Sequence, residues 1–253
     1  MSIIAVIAVL FVLLAVGLPV AFSLGLAGAF GLWLEGGTGM LLGILATAPG
    51  SALSSYELLT VPMFLLMAEF MVASRISNTL FDAIACWTAR LRGGLGIATA
   101  ITGAAFGAIS GSSTAAAATL STSSVPSMIR QGYDARFASG IVAISGTLAM
   151  LIPPSIAIIF YGLLSGADVG KLLIAGLVPG IMVTLAVILT IRVMIWRNPA
   201  LAPDRGRTSW SEKFISLRVA GPFILLFLLV TGSIYLGIAT PVEASALGAM
   251  GAL

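Results

Sequence analysis

Apolar residues run almost unbroken over 3–34 and return over 58–73, 137–164, 172–196 and 219–236. Runs of about 20 apolar residues match the hydrocarbon core of a bilayer, so the pattern predicts an all-α, polytopic membrane bundle. As one straight helix, 3–34 would be about 48 Å long, more than a ~30 Å core needs. Gly17 and Pro19 interrupt it, which predicts two crossings or one broken at Pro19. The first twenty residues lack a basic leader and a small-residue cleavage site, and read as the first span. Residues 35–57 hold Gly36, Gly37, Gly39, Pro49 and Gly50 and are expected to form a loop. Residues 78–92 read as an amphipathic helix at the interface.

The pattern changes between Arg92 and Arg130. This stretch is shorter than the roughly 40 residues that two spans and a turn require, and Ser and Thr crowd its middle. Its arms, 96–109 and 114–128, would be only about 21 to 23 Å long as helices. Arg90 and Arg92 precede it, while Arg130 and Arg136 follow, which places both ends on one side. The expectation is a re-entrant hairpin over 93–130 whose tip, Ser110-Gly111-Ser112-Ser113, reaches the bilayer middle. The next segment, 136–165, is broken at Gly146-Thr147 and at Pro153-Pro154, which cannot donate to a helix ladder.

Breaks of this kind leave helix ends without intrahelical partners. At the tip, a carbonyl end with serine hydroxyls suits a sodium ion, and an N–H end suits an anion. Gly146, Thr147, Pro153, Pro154 and Ser155 either offer a second set of free groups nearby in the chain or form no more than a proline kink. Small residues elsewhere in the arms, 115–118 and 119–124, are explained by close helix packing. Glu69 could relay protons or simply snorkel to the interface and pair with an arginine.

Composition narrows the function. Hydrophobic residues make up 59% of the 253 and charged residues only 8%, against about 25% in a soluble domain, which excludes a water-soluble protein. The net charge of +3 lies in a few loops and forms no stripe for nucleic acid. Residues 197–218, with Arg205, Arg207 and Lys213, form the most basic loop and are placed in the cytoplasm. Counting outward, Arg75, Arg90, Arg92, Arg130 and Arg136 share that side. The acidic loops lie outside, and the chain starts outside if 3–34 crosses twice. Cys86 stands alone, so an intrachain disulfide is excluded. The absence of histidine, of zinc-ligand spacing and of a phosphate loop argues against an enzyme.

Pro241-Val242-Glu243-Ala244-Ser245-Ala246 echoes Pro19-Val20-Ala21-Phe22-Ser23-Leu24, each after an apolar span and a glycine. With the preceding spans running in opposite directions, the echo predicts the start of an inverted repeat, with much of the second repeat lying beyond Leu253.

At these residues the chain resembles the large permease subunit of the tripartite ATP-independent periplasmic (TRAP) transporters, within the ion-transporter superfamily. The resemblance rests on Pro62-Met63-Phe64-Leu65-Leu66-Met67-Ala68-Glu69, Phe106-Gly107-Ala108-Ile109-Ser110-Gly111-Ser112-Ser113, Pro126-Ser127-Met128 with Gly132-Tyr133, and Gly146-Thr147-Leu148 through Ile152-Pro153-Pro154-Ser155. Ala175-Gly176-Leu177-Val178-Pro179-Gly180 and Ala239-Thr240-Pro241-Val242-Glu243-Ala244 continue it in family order. It implies a sodium-coupled importer in the bacterial inner membrane. A periplasmic binding protein would deliver a small organic acid, such as a dicarboxylate or sialic acid, to this subunit and a small four-helix membrane partner. It further implies an elevator movement, Na+ as coupling ion, and no other cofactor. By the resemblance, Ser110, Gly111, Ser112, Ser113, Gly146 and Thr147 hold sodium, while Ser112, Pro154 and Ser155 face substrate. Ala116 and Ser121 depart from the family pattern, which usually has Asn or Asp and Gly there. The implied organisation is scaffold and interfacial helices over 1–92, a transport element over 93–165, a return span and basic loop over 166–218, and the start of the second repeat over 219–253. On this view the chain is the N-terminal part of a longer permease and would not transport by itself. The alternative is a transporter of the same superfamily that works without a binding protein.

Overall fold

The computed structural model describes residues 2–74, 76–203 and 209–253, and every regular element among them is a helix. Arg75, Arg205 and Arg207, which carry part of the sidedness expectation, lie outside the described residues. The chain divides into two compact units, 1–58 and 59–253.

The first unit pairs α1 (Ser2–Ala15) with α2 (Val20–Leu53). Gly17, at φ +89°, closes α1, and the Leu18 N–H reaches back to the Leu13 carbonyl at 3.2 Å. The two helices approach at Gly31, where a Cβ would stand 3.0 Å from Val6. The expected loop over 35–57 is instead helical as far as Leu53. Gly37 alone leaves helical geometry, at φ +65° and ψ −163°, and kinks the helix there. Beyond it, Met40, Leu41, Leu42, Leu45 and Ala46 favour helix strongly enough to outweigh the scattered glycines.

The 3-10 turn Tyr56–Leu59 straddles the division between the units, and the second unit then runs through α3 (Thr60–Ala73), α4 (Ile76–Thr88), α5 (Gly94–Ser110), α6 (Ser113–Arg130) and α7 (Ala135–Thr147). After the 3-10 turn Leu148–Met150 come α8 (Ile156–Ser165), α9 (Val169–Arg197), α10 (Trp210–Val219), α11 (Gly221–Tyr235) and α12 (Pro241–Ala252). The expected basic loop over 197–218 therefore contains a helix, and the span expected from 219 begins at Gly221. A Ser-x-x-Glu signal starts α10: the Ser209 N–H donates to Glu212 Oε2 at 3.1 Å.

Among the described residues, three helical stretches are long and apolar enough to cross a membrane: Val20–Leu53, Tyr56–Ala73 and Val169–Arg197. The pair α10 and α11, bent by 52°, makes a fourth if it counts as one span. Along α9, Val178, Met182, Leu185 and Leu189 are each at least 60% exposed, whereas Leu173, Gly180, Val187, Ile191 and Ile195 are buried. An exposed apolar stripe of that length is what lipid wets.

The centre of this unit is α5, with 15 of its 17 residues buried. Leu95, Ile97 and Ala98 pack with Met128, Phe137, Ile141 and Ile191. Ile109 joins a second cluster with Phe64, Met67, Phe223 and Val230. Because lipid tails are as apolar as leucine, close packing rather than escape from water holds such helices together, and small residues permit it.

Candidate functional site

The turn between α5 and α6 takes two residues. Gly111 closes α5 at φ +58° and donates its N–H to the Gly107 carbonyl at 2.8 Å. Ser112 is extended and caps α6, its Oγ accepting the Ala115 N–H at 3.4 Å and lying 3.1 Å from Thr114 Oγ1. The carbonyl end of α5 and the N–H end of α6 therefore lie within a few residues of one another. Ser110 is fully buried there, and its Oγ has no hydrogen-bond partner.

The second break has the same chemistry. After the 3-10 turn the chain leaves the helix at Leu151 and resumes at Ile156, with a cis Pro153–Pro154 peptide between. Ser155, fully buried and extended, donates its Oγ–H to the Met150 carbonyl at 2.6 Å and accepts the Ile158 N–H at 3.4 Å. One hydroxyl thus ties the end of the first half to the start of the second.

The fold brings these two breaks together through glycines. A Cβ on Gly111 would stand 2.8 Å from the Pro154 carbonyl oxygen and 3.0 Å from the Ile156 nitrogen. One on Gly107 would overlap Ala149, and one on Gly103 would lie 2.7 Å from the Ser145 carbonyl oxygen. Gly146 meets Ala117 of α6 in the same way, at 2.8 Å. From the other side, Gly180 and Gly176 of α9 would place a Cβ 2.6 Å from Ile152 and 3.3 Å from Pro153. The segment 151–155 is therefore held between the hairpin tip and α9. Four helix termini converge: carbonyl ends of α5 and of the 3-10 turn, and N–H ends of α6 and α8. Each carries a partial charge, negative at carbonyl ends and positive at N–H ends.

At its base the hairpin is clasped by contacts that the sequence pattern did not single out. The Leu95 N–H donates to Tyr133 Oη at 3.3 Å, and Thr99 Oγ1 lies 3.7 Å from Met128 Sδ. Asp134 caps α7 by accepting the Phe137 N–H at 2.9 Å. A lone Tyr just past a helix end gives no periodic signal, so only packing reveals its role.

Among the residues expected to form a site, Ser110, Gly111, Pro154 and Ser155 are buried together around the two breaks, and Ser112 and Ser113 are half-buried at the start of α6. Gly146 packs against Ala117, in the first turns of α6. Thr147 is exposed, and its hydroxyl donates to the Ile144 carbonyl at 2.7 Å. Ala116 is buried against Phe106 and Ala149, and Ser121 is exposed with its hydroxyl bonded to Ala118. Glu69 is exposed on α3, opposite the buried Phe64, Met67 and Met71.

Comparison with known proteins agrees with this architecture. The family model described as "Tripartite ATP-independent periplasmic transporter, DctM component" matches residues 7–253. The chain is 39% identical to the C4-dicarboxylate TRAP transporter large permease protein of Pseudomonas aeruginosa over 195 residues, 77% of this chain and 45% of that protein. It is 35% identical to the ectoine TRAP transporter large permease protein of Halomonas elongata over 190 residues, 75% and 44% of the two chains. With the C4-dicarboxylate permease of Rhodobacter capsulatus the identity is 31% over 264 residues, covering 99% of this chain and 59% of the relative. The chain thus spans about half the length of the curated relatives it matches. These relatives are transport proteins and not enzymes, and with its lipid-facing helices and converging breaks this chain belongs to the same family, the large permease subunits of TRAP transporters.

Proposed function

We propose that this chain forms part of a sodium-coupled importer of small organic acids in the bacterial inner membrane. In this reading, residues 93–130 are a re-entrant hairpin that moves by an elevator mechanism. It works with a small four-helix membrane subunit and a periplasmic binding protein that delivers the substrate. The observation that carries it is the meeting of Gly111 with Pro154 and Ile156 beside the unpartnered Ser110 hydroxyl. A buried hydroxyl without a partner is costly unless something else occupies its lone pairs. Sodium, a hard cation that takes oxygen ligands, fits Ser110 Oγ together with the carbonyl ends of α5 and the 3-10 turn. Gly111, Ser112, Ser113, Gly146 and Thr147 complete the proposed sodium set, Ser112 and Ser113 through their hydroxyls and the others through backbone oxygens. Ser112, Pro154 and Ser155 would line the substrate side. There the N–H ends of α6 and α8 offer partial positive charge to a carboxylate without any Lys or Arg at the tip. Two of the relatives are named for C4-dicarboxylates, which are anions that such ends suit.

The test is uptake by proteoliposomes containing the whole permease and its small partner. Uptake should require both a sodium gradient and the binding protein, and replacing sodium by potassium should abolish it. Ser113→Ala should weaken apparent sodium affinity about tenfold, the loss expected when a charged group gives up a ~1.5 kcal/mol bond. Ser112→Ala should do the same and also lose a helix cap worth ~1 kcal/mol. Unchanged sodium dependence in both variants would remove the tip from the ion site. Uptake without binding protein would favour a stand-alone transporter of the same superfamily.

A further inference from the structure

The transport site leaves unused a second arrangement, where α10 lies on α4. An apolar cavity of about 360 Å³ opens there, lined by Leu80, Ala83, Ile84, Trp87, Ile101 and Ile224 among others. The one hydroxyl on its wall, Thr88 Oγ1, is satisfied by the carbonyls of Ile84 and Gly94. At the rim, Lys213 is only 7% exposed, with its Nζ 5.5 Å from the ring centre of Trp87 and 5.1 Å from that of Trp210. Arg90 stands over the same Trp210 ring at 5.8 Å. Among the described residues, no carboxylate comes within ion-pair distance of Lys213 or Arg90.

Aromatic faces attract cations, but they carry no net charge. Two cations sharing one tryptophan repel each other, and a largely buried ammonium is costly until an anion joins it. The arrangement calls for an anion at the rim and a hydrocarbon in the chamber. A free anion would fill only the first, and a lipid without net charge only the second. We propose that this cavity is a binding site for an anionic phospholipid, its acyl chain between α4, α5, α10 and α11 and its phosphate between Lys213 and Arg90. Trp87 joins the two halves, since it both lines the chamber and faces the ammonium. Tryptophan and lysine are also the side chains favoured at headgroup depth. The site is independent of the sodium reading, because none of its residues belongs to the two breaks.

Brominated phospholipids test it. Four tryptophans are present, so Trp33→Phe and Trp196→Phe leave Trp87 and Trp210 to report from the site. In the purified protein, brominated phosphatidylglycerol should quench their fluorescence at about fivefold lower mole fraction than brominated phosphatidylcholine, in line with one basic contact to an anionic headgroup. Lys213→Gln should erase that preference. Lys171→Gln, which removes an exposed charge elsewhere, should leave it intact. Ala83→Leu, which narrows the chamber at constant charge, should weaken quenching by both lipids. Equal quenching by the two lipids in the unmodified site, or a preference that survives Lys213→Gln, overturns the proposal. Loss of the preference in millimolar inorganic phosphate would overturn it as well, by showing that the rim takes a free anion.

Discussion

Replacing Gly111 by alanine should damage the protein in two separable ways. The residue sits at φ +58°, a conformation that costs an L-residue roughly 1–2 kcal/mol. Its new methyl would also stand 2.8 Å from the Pro154 carbonyl oxygen and 3.0 Å from the Ile156 nitrogen. Both are backbone atoms that cannot rotate away, so overpacking adds about 1–3 kcal/mol. Gly166 supplies the control: it has φ +69° but nothing within 4 Å of a built Cβ, so Gly166→Ala carries the backbone cost alone. The difference between the variants isolates the contact between hairpin tip and broken helix, at ~2 kcal/mol. For a chain of this size that corresponds to an apparent Tm lower by about 4–8 °C than that of Gly166→Ala. The assay is thermal unfolding of the purified protein in detergent, at one scan rate because such unfolding is commonly irreversible. Gly111→Asn sharpens the test, since asparagine tolerates the left-handed region but keeps the clash. It should recover part of the loss, and not all of it. Equal Tm values for Gly111→Ala and Gly166→Ala would refute the claim that the tip seats against Pro154.

Two other expectations follow from the same geometry. Tyr133→Phe deletes the hydroxyl that receives the buried Leu95 N–H, so it should cost about 1–3 kcal/mol and lower the apparent Tm by several degrees, while a Phe137→Tyr control should not mimic it. With Cys86 replaced by serine, a cysteine at exposed Ala167 should react with impermeant thiol reagents from outside, whereas one at exposed Asn198 should resist them. Labelling of both positions from the same side would sink the proposed crossing of α9.

Much of the fold was legible because the signals are local. The small-residue cluster at 110–113 and the prolines at 153 and 154 each break a helix by their own stereochemistry, and both breaks appear where the sequence puts them. The echo between the two proline motifs also has a local counterpart. Gly17 and Gly237 both take positive φ two residues after a helix ends, and α2 and α12 then start beside Pro19 and Pro241. Local signals misled where they competed. Glycines over 36–50 read as a loop, although strong helix formers lie among them. The basic residues of 197–218 likewise obscured the Ser209–Glu212 helix start.

Sequence alone determined that this chain lives in a membrane, is all-helical, and carries two discontinuities with polar backbone to satisfy. Composition and periodicity act residue by residue, and no distant contact can reverse them in lipid. Tertiary structure alone decided that the discontinuities share one place. Residue 111 meets residue 154 only because Gly103, Gly107 and Gly146 let α5, α6 and α7 close to backbone contact and because Gly176 and Gly180 press α9 against the break. The same packing strands the Ser110 hydroxyl without a partner and turns the Thr147 hydroxyl outward. Which of several hydroxyls on a helix faces a neighbour depends on how the helices rotate against one another, and that is fixed by the sum of contacts across the unit.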